Sequence, residues 1–364
     1  MEKNSELQKH ITSGIEKIVA DAMRAVLTDS RESAFLARFA ADCRAASKKR
    51  IAAEKRGEHV PGFLIASITG ACNLHCAGCY ARGIKTTGDT PPSCQLTGEE
   101  WLDIFRQAQD LGISFILLVG GEPLLRREVI EAAASVKSVL FPIFTNGTYI
   151  DGAYLDLFDS CRNLVPVLSL EGGRDATDKR RGEGMYDVIT GNMLEFKKRK
   201  LLFGASITVT TENMHEVTSG EFIASLTDAG CKTVFYIEFV SVHDEDRHLA
   251  PGDEERKYME TAVENLRREN PGLLILSFPG DELALGGCMA AGREFFHINA
   301  GGGAEPCPFS PFSDVNVKNT SLRHALASGL FLKIREAGLL LDDHKGGCVL
   351  YDKREQVREL LKEC

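Results

Sequence analysis

The sequence predicts an α/β fold built on a parallel sheet or an open barrel, and two observations carry that expectation. Six short apolar runs rich in β-branched or aromatic residues follow one another along the chain. Each is followed by a longer stretch with the spacing of an amphipathic helix. Strands that alternate with helices form parallel pairs, because a parallel crossover needs about a helix's length of chain. With 364 residues the chain can bury a sizeable core, as one domain with additions or as two.

Residues 1 to about 57 read as helical. Ile11, Ile15, Ile18, Val19, Met23 and Val26 recur at three and four, then Phe35, Leu36, Phe39, Ala40 and Cys43, with Asp29 and Ser30 as a cap between two helices. The basic tail Lys48, Lys49, Arg50, Lys55 and Arg56 reads as a solvated face. The strand-like runs are Phe63 to Thr69, Phe115 to Val119, Leu140 to Phe144, Leu164 to Leu170, Gly204 to Thr210 and Val234 to Val240. Helical stretches lie between them near 99–111, 127–137, 151–161, 187–200 and 218–229. Pro142 and Pro166 sit awkwardly in two of the strands, since a proline removes a ladder hydrogen bond. A helix near 251–268 and a run from Leu273 to Phe278 come next, and the texture then turns glycine-rich through GGCMAAG, INAGGGAEPCPF and HKGGC, with helices near 320–336 and 352–362. We divide the chain into an N-terminal helical segment (1–58), a barrel (59–279) and a smaller C-terminal region (280–364).

Composition narrows the function classes. The hydrophobic share is 43%, the charged share 26%, and no apolar run approaches the ~20 residues of a membrane span, so no membrane insertion is expected. The start, MEKNSELQKH, lacks the features of a leader, which predicts a cytoplasmic protein. A net charge of −9 argues against general nucleic-acid binding. Eleven cysteines in such a chain are ligands, nucleophiles or core fillers rather than a disulfide framework. Cys43, Cys94, Cys161 and Cys231 stand alone and read as fillers. No Ser-His-Asp arrangement, P-loop or GxGxxG turn is visible.

Directly after the first strand, TGACNLHCAGCYARG places Cys72, Cys76 and Cys79 in C-x3-C-x2-C spacing. Three thiolates this close suit three irons of a [4Fe-4S] cube or three corners of a zinc tetrahedron. His75 lies inside the loop, so a Cys3His zinc site, and with it a zinc-binding structural or interaction protein, is the alternative. At the end of the second strand stands VGGEPLL, with Gly120, Gly121, Glu122 and Pro123. Two glycines allow close approach of a ligand to the backbone, and a carboxylate can accept from an ammonium group.

The triplet, followed by the aromatic Tyr80, resembles the signature of the radical S-adenosylmethionine (SAM) enzymes. Gly120 to Pro123 is similar to that family's motif for the SAM amino group. TNGT with Asn146 ends the third strand, and SLEGG, with Ser169 and Glu171, ends the fourth and resembles the family's ribose contacts. Arg181 before Gly182 is similar to its Arg-Gly pair, a guanidinium suited to the SAM carboxylate, and Thr208 and Glu238 fall on the next two strands. The resemblance implies a partial (β/α)6 barrel. It also implies a [4Fe-4S] cluster on Cys72, Cys76 and Cys79, reductive cleavage of SAM to a 5'-deoxyadenosyl radical, and hydrogen abstraction from a substrate under anaerobic conditions.

The C-terminal region, with Cys288, Gly302, Cys307 and Cys348, resembles parts of the SPASM or twitch extensions, and the C-x2-C-x5-C element of a full SPASM domain is missing. The resemblance implies one auxiliary Fe-S cluster whose fourth ligand is His344, Cys364 or the substrate. The expected reaction is oxidative modification or crosslinking of a peptide or protein, with dehydrogenation of a small molecule or cofactor precursor as the alternative. A ferredoxin or flavodoxin is the implied electron donor.

Overall fold

The computed structural model describes residues 30–284, 286–341 and 347–364. The predicted helix over 11 to 26, Asp29 and His344 lie outside them. Helix α1 (Ser30–Glu54) leads into β1 (Phe63–Thr69), the one-turn α2 (Tyr80–Gly83), α3 (Gly98–Leu111) and β2 (Phe115–Gly120). Then come α4 (Arg127–Ser135), β3 (Phe141–Thr145), α5 (Gly152–Ser160), β4 (Leu164–Ser169), α6 (Arg174–Arg181), α7 (Met185–Arg199) and β5 (Gly204–Val209). After α8 (Met214–Val217) and α9 (Gly220–Ala229) follow β6 (Thr233–Glu238), α10 (Asp253–Glu269), β7 (Leu274–Phe278) and α11 (Gly280–Ala284). The chain continues through β8 (His297–Ile298), β9 (Gly303–Glu305), β10 (Val315–Asn316), α12 (Leu322–Leu326), α13 (Gly329–Glu336), α14 (Val349–Asp352) and α15 (Arg354–Lys362).

These strands form one sheet in the order β10-β9-β8-β1-β2-β3-β4-β5-β6-β7. Strands β1 to β7 pair in parallel with their sequence neighbours, which is the partial barrel expected, extended by β7. The addition that sequence reasoning missed is at the other edge. There β8 joins β1 in parallel, and β9 and β10 continue antiparallel. The glycine-rich C-terminal region thus extends the barrel wall beside β1.

Both prolines fit for local reasons. Leu140 donates to Ser114 on the β2 side and Phe141 to Asn163 on the β4 side, so Pro142 falls on the β2 side, where β2 and β3 are paired only at Leu118↔Ile143. The β4–β5 ladder begins at Val167↔Gly204, one residue past Pro166, so no partner carbonyl waits for its missing N–H.

The strand faces divide the core. On β1, Leu64, Ala66 and Ile68 are fully buried in the cluster that holds Trp101, Ile104 and Phe105 of α3. Phe63, Ile65 and Ser67 alternate with them, half-buried, on the lumen side. Helix α3 forms where Thr97 and Glu100 make a reciprocal capping box and ends at Gly112 in the left-handed region. Of the expected filler cysteines, Cys43 and Cys231 are buried, whereas Cys161 is half-buried and Cys94 exposed. Cys94 departs because it lies in the irregular, proline-bearing segment before α3 and not in a helix or strand.

Helix α1 closes the base of the barrel. Phe39 is edge-on to Phe115, the first residue of β2, at 5.4 Å between ring centroids, and packs with Leu140 before β3. These are the N-terminal strand ends, opposite the loops that carry chemistry in such folds. Phe39→Ala should cost about 3–5 kcal/mol, read as a fall in Tm, with the iron content of anaerobically loaded protein unchanged.

Candidate functional site

The cysteine loop leaves β1 and is fastened by its backbone. Cys72 N–H donates to Gly88 O and Gly88 N–H to Gly70 O, at 2.9 and 2.8 Å, and Ala77 N–H donates to Arg180 O of α6 at 2.8 Å. Arg82, which the sequence did not single out, clamps the loop from within. Its Nε donates to Leu74 O and its Nη2 to Cys72 O, both at 3.0 Å, and Nη2 also donates to Asp89 at 2.8 Å. Cys72, Cys76 and Cys79 are all half-buried free thiols. Burial pushes the Cys72 and Cys76 thiols above their ordinary value, and the neighbouring cysteines push the same way. A bound cation reverses that balance by stabilising thiolate.

His75 is turned away from a role as fourth zinc ligand. Its Nε2 pairs with Asp89 at 2.9 Å, with both side chains 66% exposed. Among the described residues, no three His, Cys, Asp or Glu side chains close on a single-ion site. A zinc tetrahedron with Zn–S near 2.3 Å would bring its sulfurs to roughly 3.8 Å, whereas a cube spreads its ligands more widely.

The Gly-Gly-Glu-Pro turn is pressed against the start of this loop. A Cβ on Gly120 would stand 2.3 Å from Thr69 O and one on Gly121 2.0 Å from Ala71 O. Gly121 and Glu122 donate to those same two carbonyls at 2.9 and 2.8 Å. The close approach that the glycines permit is therefore that of the chain's own backbone. Glu122 is 1% exposed, and its carboxylate accepts from Leu124 N–H, Thr145 Oγ1 and Asn146 N–H at 3.0, 2.6 and 2.8 Å. Three internal donors thus hold this carboxylate in place behind the turn. Pro123 starts the short turn that Glu122 caps. Asn146 Nδ2 donates to Asn73 Oδ1 at 3.0 Å, which ties the end of β3 to the cysteine loop.

A second group approaches from the opposite side. Arg181 Nη2 donates to Glu171 Oε1 at 2.5 Å, and its Nη1 lies 3.9 Å from Cys76 Sγ. Its Nε is buried without a hydrogen-bond partner. Glu171, 1% exposed, also accepts from the backbone N–H of Thr208 at 3.1 Å. Thr208 thus reaches the group through its backbone, and Ser169 lies half-buried at the end of β4. An unsatisfied guanidinium nitrogen beside a thiol suits a carboxylate-bearing ligand at the cluster loop.

Residues 66–223 match the Radical SAM superfamily. This stretch is a radical SAM domain. The chain is 24% identical over 320 residues, 80% of this chain and 88% of the relative, to the AdoMet-dependent heme synthase of Methanosarcina barkeri. It is 35% identical over 104 residues to the probable GTP 3',8-cyclase of Methanothermobacter marburgensis, where the match spans 28% of this chain and 32% of the relative. In fold it is similar to SuiB of Streptococcus suis bound to S-adenosylmethionine, with a TM-score of 0.68 and 17% identity over 84% of this chain and 78% of that one. Radical SAM proteins use a [4Fe-4S] cluster and SAM, and SPASM-type members carry auxiliary clusters. Among the described residues no helix is long and apolar enough to cross a membrane.

Beside the cysteine loop of this domain stands a second cysteine group. Cys288 and Cys307 are 6% and 4% exposed, and Cys348 is half-buried. The Cys307 and Cys348 thiols are within hydrogen-bonding reach; that contact, burial and the nearby Cys288 push the Cys307 thiol well up. The half-buried ring of Tyr80 lies against Phe309, tilted by 34° with 4.1 Å between centroids, joining the residue after Cys79 to the loop of Cys307. Glu238 binds Arg256 and accepts from Gly347 N–H at 2.7 Å, so it anchors the backbone next to Cys348. Cys364 is exposed and donates to Leu360 O, and its charged neighbours are Lys333, Asp314 and Glu363, which sets it apart from the trio.

One arrangement that the sequence did not show is a Ser-His-Glu row. Ser67, His297 and Glu305 lie in line, and the His297↔Glu305 strand pair that builds the row is formed by the overlooked β8 and β9. Its only trace in the sequence is a histidine and a glutamate eight positions apart across a glycine turn.

Arg82→Met removes two bonds from a charged donor to loop carbonyls, worth about 1.5–3 kcal/mol each. An iron chelator should then strip the loaded variant roughly tenfold faster or more than wild type, followed by the loss of absorbance near 400 nm.

Proposed function

We propose that this chain is a radical SAM oxidase that modifies a peptide or protein. Cys72, Cys76 and Cys79 would hold the [4Fe-4S] cluster, and Arg181 together with the Gly120-Gly121 backbone would hold SAM. The observation that carries the reading is the meeting of three half-buried thiols with Arg181, whose Nη1 lies 3.9 Å from Cys76 Sγ and whose buried Nε lacks an acceptor. When bound, the cluster and SAM supply a 5'-deoxyadenosyl radical that abstracts hydrogen from substrate.

The chain's own groups orient and shield. Glu171 fixes the Arg181 fork, so that one face of the guanidinium is aimed at the loop before any ligand arrives. Glu122, Thr145 and Asn146 brace the Gly-Gly turn from behind. Cys288, Cys307 and Cys348 would hold an auxiliary cluster, soft thiolates being suited to iron-sulfur centres. Cys348 lines a half-open polar cleft of about 330 Å³ with Ser241, His243, Arg247, Tyr351 and Arg354. A cleft of this kind suits a peptide segment, whose backbone groups need polar partners. A ferredoxin or flavodoxin would supply the electron. The second reading, a small-molecule or cofactor-precursor substrate, draws on the heme synthase relative, which the match covers over 88% of its length.

The test is anaerobic reconstitution and an assay for 5'-deoxyadenosine with dithionite and SAM. The expected result is about eight irons per chain, with cleavage abolished in Cys76→Ala; bound zinc without cleavage would overturn the reading. Arg181→Lys keeps the charge but loses the fork, and should weaken SAM binding by about 10- to 100-fold, or 1.4–2.7 kcal/mol, measured by equilibrium dialysis on the loaded protein.

A further inference from the structure

Ser67, His297 and Glu305 form a row that none of the steps above uses. His297 Nε2 is 2.7 Å from Ser67 Oγ, and its Nδ1 is 2.7 Å from Glu305 Oε2. His297 and Glu305 are each 4% exposed, while Ser67 is half-buried on the lumen face of β1. Asn299 Nδ2 donates to the other Glu305 oxygen at 2.5 Å.

The geometry allows the row one working direction, with the imidazole neutral. A carboxylate accepts only, so Nδ1 carries the proton that faces Glu305. In the neutral imidazole Nε2 then carries the lone pair, and it faces the Ser67 hydroxyl. Fully buried polar groups can be mere mutual satisfaction, but this row is asymmetric. Its acid and base are sealed in the wall, and only its hydroxyl faces the barrel interior. That is the order of parts in an activated serine, recognised by geometry rather than by sequence position.

We propose that Ser67, His297 and Glu305 are an activated-hydroxyl site opening into the barrel lumen, fit to act on an electrophilic or proton-bearing group of a molecule lodged there, such as an acyl carbon or an alcohol. Toward an electrophile, the Ser67 oxygen forms the new bond, the leaving group departs with its electron pair, and the hydroxyl proton passes to His297 Nε2. Toward an acidic O–H, the substrate proton goes to Ser67 while the Ser67 proton moves to Nε2, and the substrate keeps the electron pair. Neither step changes an oxidation state. In both, Glu305 faces the imidazolium that forms, its Oε2 2.7 Å from His297 Nδ1.

The site can be probed without the natural substrate and independently of SAM cleavage. Full-length, anaerobically loaded protein is treated with a small alkyl fluorophosphonate, and the labelled residue is located by peptide mass spectrometry. The serine oxygen bonds to phosphorus and fluoride leaves, so a label on Ser67 reports an activated, reachable hydroxyl. The expected result is labelling at Ser67, slowed roughly 100-fold in His297→Gln and measurably in Glu305→Gln, with circular dichroism and Tm confirming folded variants. Absence of label at Ser67 in wild type, or an equal rate in His297→Gln, would overturn the proposal. Radical SAM chemistry would stand or fall separately, because 5'-deoxyadenosine formation is read in another assay.

Discussion

The site depends on one steric constraint, the contact of two backbones at the ends of β1 and β2. Gly120 and Gly121 lie so close to the carbonyls of Thr69 and Ala71 that no side chain fits at either position. The same contact makes the hydrogen bonds from Gly121 and Glu122 to those carbonyls. Because the cysteine loop starts at Ala71, the position of its first thiol is set by the end of the neighbouring strand. Glu122 then carries the constraint onward to β3 through Thr145 and Asn146, and Asn146 returns it to the loop through Asn73. The result is a closed circuit of short contacts around a loop that has little regular structure of its own.

Electrostatics adds the second half. The loop gathers thiols whose burial resists ionisation, and α6 brings a guanidinium to their edge, held by the buried Glu171. Buried charge is costly unless paired, so this Arg-Glu pair is more informative about function than a surface pair would be. Arg82 does the same for the carbonyls of the loop. The C-terminal region joins the assembly through the ring contact of Tyr80 with Phe309 and through Gly347 bound to Glu238.

Much of this was legible in the sequence because the signals were local. Strand and helix alternation gave the barrel from Phe63 to Glu238, and the cysteine spacing marked the loop without any tertiary information. Two-residue strands such as β8 carry no periodicity, so the extension beside β1 was invisible, and with it the row from Ser67 to Glu305. Arg82 looked like any loop cation, since its role depends on which carbonyls the fold turns toward it. The contact of the Gly-Gly pair with β1 was hidden for a similar reason: glycine signals close approach without saying to what. Asp89, exposed and unremarkable in sequence, decided where His75 points.

The central claim is that the cysteine loop and the Arg181 group form one SAM-binding iron site, and electron paramagnetic resonance tests it most directly. The protein to use carries Ala at Cys288, Cys307 and Cys348, reduced with dithionite, so that only the loop contributes a signal. The account predicts a reduced [4Fe-4S] spectrum whose shape changes when SAM is added and which vanishes when Cys76 is also replaced by Ala. A spectrum indifferent to SAM, or no cluster signal in protein that has taken up zinc, would contradict it.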